Sequence, residues 1–192
     1  MRWPFLALGL LCLGYVGFAL LDAEAFQAYE NWRLARAAKN SPVTAPSPPP
    51  SSTPLVATRR TAAPGATLGR IEIARIGVDS IIVEGTDSRS LRRAVGHVNG
   101  TAFPGEHGNT AIAGHRDTFF RGLRDLRQSD EITVTTLEGI YRYRVDSMTV
   151  VAGDDTAVLN DSAGSTLTLV TCYPFSYVGP APQRFVVRAH LD

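Results

Sequence analysis

Three side chains in this 192-residue chain are of the types that acyl transfer needs: Cys172, His115 and Arg184. A thiol attacks an amide carbonyl well only as thiolate, so it needs a base or a cation beside it. An imidazole can take the thiol proton and later return it to a leaving amine. Attack builds negative charge on the carbonyl oxygen, which a fixed guanidinium can stabilise. Singly, each residue has a plainer reading: an inert core cysteine, a surface histidine, a solvated strand arginine. Their placement argues for the joint reading. Thr166 to Thr171 alternates β-branched polar and apolar residues, the period of a half-buried strand. Cys172 stands where that strand must stop, because Pro174 has no N–H to give a ladder. Gly179-Pro180-Ala181-Pro182 forces a second break. Arg184 then opens a further strand, Phe185 to Ala189. Two strands joined by such a loop can lie side by side, with the sulfur and the guanidinium at one end of one sheet. His115 likewise follows a short apolar run, Thr110 to Ala113.

Composition narrows the class. Net charge is +1 and the basic residues are scattered. Nucleic-acid binding needs a clustered basic face, so it is not expected. The length allows one domain plus appendages. Of the two cysteines, Cys12 lies in an apolar N-terminal segment. Cys172 therefore has no disulfide partner within the rest of the chain.

The elements that must position the three residues follow in order. Residues 1–39 read as a membrane anchor with a helical extension. Trp3 to Leu21 is uncharged and apolar over about 19 residues, enough to span a bilayer as a helix. Arg2 flanks it on one side and Asp22 and Glu24 on the other, which places the N-terminus in the cytoplasm and the remainder outside. A cleaved signal peptide is the competing reading, since Ala23-Glu24-Ala25 fits a cleavage site; the apolar core exceeds the roughly 7–15 residues of such peptides, which favours the anchor. Leu10 and Leu11 before Cys12 argue against a lipoprotein signal. Ala23 to Lys39 is read as a continuation of the same helix. Residues 40–67 form a linker rich in Pro, Ser and Thr, expected to stay extended and hold a domain off the membrane. Residues 68–192 form the folded domain. Arg70 to Ile76 and Ser80 to Val83 read as strands, and Ser90 to Val95 as a short helix. Phe119, Phe120, Leu123 and Leu126 have helical spacing, and Asp117 is placed to cap that helix. Glu131 to Leu137 and Tyr141 to Val151 read as a hairpin around Glu138-Gly139, and Asp155 to Leu159 as a helical turn. Many short strands with few helices imply an all-β barrel or sandwich.

The segments IAGHRD and TLTLVTCYP, with Arg184 twelve positions beyond Cys172, resemble the signature of the sortases. The run CYPFSYVGPAPQRFVVRA most resembles class D sortases. The likeness extends to Ile71 to Ile76, Glu84-Gly85-Thr86 and Gly96-His97, and so covers essentially the whole domain after residue 68. The resemblance implies an eight-stranded sortase-type β-barrel with short helices and a membrane-anchored cysteine transpeptidase. It implies that Cys172 cleaves an LPxTG-like sorting signal after its Thr and forms a thioacyl-enzyme. An amine of the envelope or of a pilin would then accept the protein. The implied partners are the C-terminal sorting-signal peptide of a surface protein, that amine, and the membrane through the N-terminal helix. His115 would be the general acid/base, and Arg184 would stabilise the oxyanion and bind substrate. Thr171, His97, Tyr173 and Phe175 are the expected substrate-binding residues. For Thr171 a plain strand threonine stays open. For Phe175 a loop packed only for stability stays open against a shaped wall beside the nucleophile.

No cofactor or metal is expected. His97, His107, His115 and Cys172 lack compact zinc-ligand spacing. Asp154, Asp155 and Asp161 are too sparse for calcium. His107 is expected exposed and His190 structural. A thiol hydrolase would use the same three residues with water in place of the amine. An L,D-transpeptidase would carry a His close before its Cys, where Leu169-Val170-Thr171 stands here. A membrane-anchored β-domain that binds surface proteins without catalysis is the alternative from another class.

Overall fold

The computed structural model describes residues 3–40, 60–177 and 179–192. Most of the expected linker, residues 41–59, lies outside the described residues. One helix, α1 (Trp3–Asn40), runs through the expected anchor and its expected extension. It is long and apolar enough to cross a membrane. Eight strands follow: β1 (Thr67–Ile73), β2 (Val78–Glu84), β3 (Val95–His97), β4 (Gly108–Ala113), β5 (Glu131–Thr136), β6 (Ile140–Ala152), β7 (Ser165–Tyr173) and β8 (Gln183–Leu191). They close into a barrel in the order β1-β2-β3-β4-β7-β8-β6-β5. A closed sheet has no unpaired edges.

The barrel interior is filled by every second residue of its strands, as the pleat requires. Ile71 and Ile73, Ile132 and Val134, Tyr143 and Val145, Leu167 and Leu169, and Val187 and Ala189 point inward and are buried. On β7 this parity sends Thr168, Val170 and Cys172 to the outer face. β7 is central to the site because it pairs parallel with β4 and antiparallel with β8.

Several local expectations need adjusting. The first strand ends at Ile73, where a single 3-10 turn (Ala74–Ile76) leads into Gly77, which is left-handed at φ 65°. The short helix α2 is Ser88–Arg93. Asp87 caps it by accepting from the N–H groups of Arg89 and Ser90, and Val95 already belongs to β3. Phe119 and Phe120 lie in a turn, and the 3-10 segment begins only at Arg121. Asp117 does not cap it but pairs with Arg116. The hairpin around Glu138-Gly139 and a short turn at Ala157–Leu159 are present.

The part of α1 beyond Leu21 packs on the barrel. Phe26 and Leu34 cover Ile81, Val83 and Ala94. Arg93 makes a two-pronged contact with Asp22 at 2.6 and 2.7 Å. Gln27 accepts from the Ile81 N–H at 2.8 Å and donates to the Arg93 carbonyl at 2.6 Å. The pairing of β3 with β2 starts only at Ile82, so Gln27 continues the ladder where β3 is absent. The helix thus contacts the barrel directly.

Two outcomes follow for stability. Gln27→Ala leaves the Ile81 N–H and Arg93 carbonyl without their partner. It should cost about 1–3 kcal/mol in chemical denaturation of the micelle-solubilised chain, whereas an exposed control such as Ala28→Ser should cost almost nothing. Asp130 accepts from Arg75 and from the Arg127 N–H at 2.7 Å. The Arg75 hydrogen bond holds its carboxyl below the ordinary carboxylate value. A carboxylate held low in the folded state stabilises above its unfolded pKa, about 3.9, and loses that contribution as pH falls through the folded value. The acid limb of a stability-versus-pH curve should therefore flatten in Asp130→Asn.

Candidate active site

β7 carries Cys172 one residue before its end, and the chain then leaves the sheet at Pro174, after a cis Tyr173–Pro174 bond. Cys172 lies directly opposite Arg184 in the antiparallel β7–β8 ladder. Opposed residues present their side chains on the same face, with Cα atoms roughly 4.5–5.5 Å apart. On the other side β4 runs parallel to β7 with Ala113 opposite Val170. The Gly114 N–H donates to the Val170 carbonyl at 3.1 Å, so the pairing continues one residue past β4. His115 is the next residue, and the register brings it level with Cys172. The three expected residues are thus gathered at one end of three neighbouring strands. Cys172 is half-buried and His115 is exposed.

Gly114 has a steric reason. A Cβ there would stand 2.6 Å from the Phe120 ring. The ring is fully buried, and the chain carrying His115 passes over it. Thr171 adds a second fastening: its hydroxyl donates to the Gly114 carbonyl at 2.7 Å. It is 2% exposed and belongs to the inward parity of β7. Its hydroxyl is therefore committed within the protein.

The guanidinium of Arg184 donates to the carbonyls of Ala181 and Gln183 at 3.0 and 2.9 Å. It lies toward Gly153, just past β6. Its backbone is opposite the cysteine, while its charged end rests on the β6 side.

The other expected substrate contacts are placed differently. His97 is 1% exposed. Its Nδ1 is 2.7 Å from Glu84 Oε2 and its Nε2 is 2.9 Å from the Ala102 carbonyl. It pairs with Ile112 across β3–β4, with β4 standing between it and β7. The histidine is a buried tie between strand ends, and the structure does not bring it to the sulfur. Tyr173 and Phe175 cluster with Phe185: Phe175 meets Phe185 edge-on at 5.3 Å, and Tyr173 stacks on it at 6.3 Å. Phe175 and Phe185 pack on the barrel core. The packed-loop reading of Phe175 has this contact behind it. His107 is exposed, and His190 pairs with Asp146 at 2.6 Å. Among the described residues no group of His, Cys, Asp and Glu has the arrangement of a metal site.

One residue at this end went unnoticed in the sequence. Arg116 is only 7% exposed. It donates to the Pro174 carbonyl at 2.6 Å and to both carboxylate oxygens of Asp117 at 3.1 and 3.2 Å. The Asp117 hydrogen bond raises its pKa above the ordinary value; burial opposes this, and the Cys172 sulfur adds in the raising direction. No hydrophobic period marks such an arginine. Its one sequence signal is its place between His115 and an acidic neighbour.

Residues 71–192 match the family model of the sortase domain. The chain belongs to the sortase family. It is 35% identical to sortase D of Bacillus subtilis over 185 residues, covering 95% of this chain and 92% of that one. Among solved structures it resembles the sortase D5 transpeptidase of Clostridium perfringens. The TM-score is 0.63 at 36% identity, covering 69% of this chain and 82% of that one. It also resembles sortase C of the same organism, solved with the C-terminal cell wall sorting motif. That match has a TM-score of 0.62 at 29% identity, over 68% and 72% of the two chains. Sortases are cysteine transpeptidases, and this chain is one of that family.

Thr171→Val keeps the shape of the side chain and removes its donor, leaving the buried Gly114 carbonyl unpaired. This sortase should lose roughly 1–3 kcal/mol in that variant. Amide hydrogen exchange at residues 114–117 should quicken, with the far side of the barrel unchanged.

Proposed function

We propose that this sortase is a single-pass membrane transpeptidase that cuts an LPxTG-like sorting signal after Thr and passes the protein to an amine. The observation that carries the reading is the convergence of Cys172, Arg184 and His115 at one end of β8, β7 and β4. Cys172 is also the only cysteine in the matched residues 71–192. Arg2 before the apolar run and Asp22 and Glu24 after it support a cytoplasmic N-terminus with the barrel outside.

The thiol gives its proton to His115, and the sulfur attacks the carbonyl carbon of the signal's Thr. Arg184 leaves its carbonyl partners and meets the oxyanion. The intermediate collapses by breaking the C–N bond, and the departing amine takes the proton from His115. A thioester joins the Thr to Cys172. An amine of the envelope or of a pilin subunit then attacks that thioester and gives a proton to His115. The C–S bond breaks, a new amide remains, and the sulfur is freed as thiolate.

Wild-type chain in micelles, incubated with a sorting-signal peptide, should gain the mass of the acyl fragment, and added amine should convert the adduct to a transfer product. Cys172→Ala should form no adduct and no product. His115→Ala should slow acylation by about 10²–10⁴, and Arg184→Ala by about 10²–10³. Cleavage that persists in Cys172→Ala would sink the reading. Equal hydrolysis with and without amine would replace transfer by hydrolysis.

A further inference from the structure

The cation expected to serve the sulfur, Arg184, rests on backbone carbonyls to one side. A second cation is built into the site from the opposite side. Arg116 is adjacent in sequence to His115, and its Nη1 holds the carbonyl of Pro174, two residues beyond Cys172. The same guanidinium holds Asp117 through its Nε and Nη2. One planar group thus spans the connection after β4 and the connection after β7. These are the two segments whose relative position sets the imidazole-to-sulfur geometry.

We propose that Arg116 is a positioning residue for the transfer reaction: it fastens the segment after Cys172 to the segment bearing His115 and keeps a fixed positive charge beside the sulfur. This rests on the reading of Cys172 and His115 as nucleophile and acid/base. The Asp117 carboxylate does not cancel the charge. Asp117 is 71% exposed, whereas the Arg116 side chain is 7% exposed. Water and salt screen an exposed charge strongly and a buried one weakly. Seen from the sulfur, the guanidinium therefore outweighs its partner. Other titratable or charged groups on the elements flanking the sulfur are His115 and Asp117 after β4, Tyr173 on β7, Tyr177 in the following connection, and Arg184, Arg188 and His190 on β8. Of these, Arg184 and Arg188 are permanent cations; the Nη1 of Arg184 is engaged by carbonyls, and the Nη2 of Arg188 donates to the Val158 carbonyl at 3.0 Å, far along the strand from the sulfur. Lysine cannot replace the fork, because an ammonium lacks the planar set of donors that reaches a carboxylate and a carbonyl at once.

The test uses the full chain in micelles with Cys12→Ser, so that Cys172 is the only thiol, and follows the rate of alkylation by iodoacetamide at neutral pH. This readout needs no sorting signal, so it separates failure of this proposal from failure of the substrate assignment. Removal of the charge in Arg116→Met should slow alkylation about tenfold. Arg116→Gln keeps a donor for the Pro174 carbonyl and should show the same loss, which covers the case in which the methionine variant does not fold. Arg116→Lys keeps the charge and should leave the rate near that of the parent. Its kcat for peptide transfer should fall about tenfold or more, with KM little changed. A folded Met or Gln variant with the parent's alkylation rate overturns the proposal. So does a Lys variant with the parent's kcat.

Discussion

The site depends on the double pairing of one strand. β7 is held parallel by β4 and antiparallel by β8. Each ladder fixes register to a single residue, because a slip of one would send the whole inward set of β7 outward. Leu167 and Leu169 are fully buried, so such a slip is strongly opposed. That opposition is what sets Cys172 across from Arg184 and level with His115. The chemistry of the site borrows its precision from the hydrophobic core.

This explains how much was legible. The strand pattern from Thr166 to Thr171, the Pro174 stop and the Pro/Gly break before Arg184 all report backbone constraints that are local in sequence. They are read without knowing the tertiary neighbours. The failures have a common cause. β3 is three residues long, too short to show a period, so nothing told that His97 sits in a ladder with its ring inside. The spacing of Phe119, Phe120, Leu123 and Leu126 looked helical, but those side chains are gathered by a turn and a 3-10 segment folded over Gly114. Thr171 and Phe175 are expected at the substrate from their place beside the nucleophile, with a plain strand threonine and a packed loop left open. The pleat turns Thr171 inward, and Phe175 packs on the core beyond the strand's end. Adjacency along the chain is a poor guide to adjacency at a site.

The docking of α1 was outside the reach of pattern reading as well. The extension beyond Leu21 has helical spacing, but nothing in the pattern names its partner. In the structure Gln27 acts as a short stretch of strand, supplying an acceptor and a donor where β3 does not extend. Phe26 and Leu34 cover an apolar patch on β2 and α2. In the barrel order β2 stands three positions from β7 around the closed ring of eight. The helix and the cysteine therefore sit on different walls of the barrel.

A buried guanidinium needs a reason, because desolvating a charge is costly and an apolar replacement of similar size is often as stable or more so. Arg116 meets that cost with one carbonyl and one carboxylate. An apolar side chain there would satisfy the packing but leave the Pro174 carbonyl without its donor and the sulfur without a near permanent charge. His97 is a buried polar side chain on the other side of β4, and there Glu84, Ala102 and Thr101 surround the ring. The two cases differ in what they fasten. His97 joins the ends of β2 and β3 to the turn before β4, all of it scaffold. Arg116 joins the two connections on which the reacting groups sit. A group that holds moving parts of a reaction in register contributes to rate as well as to stability, and that distinguishes Arg116 from His97.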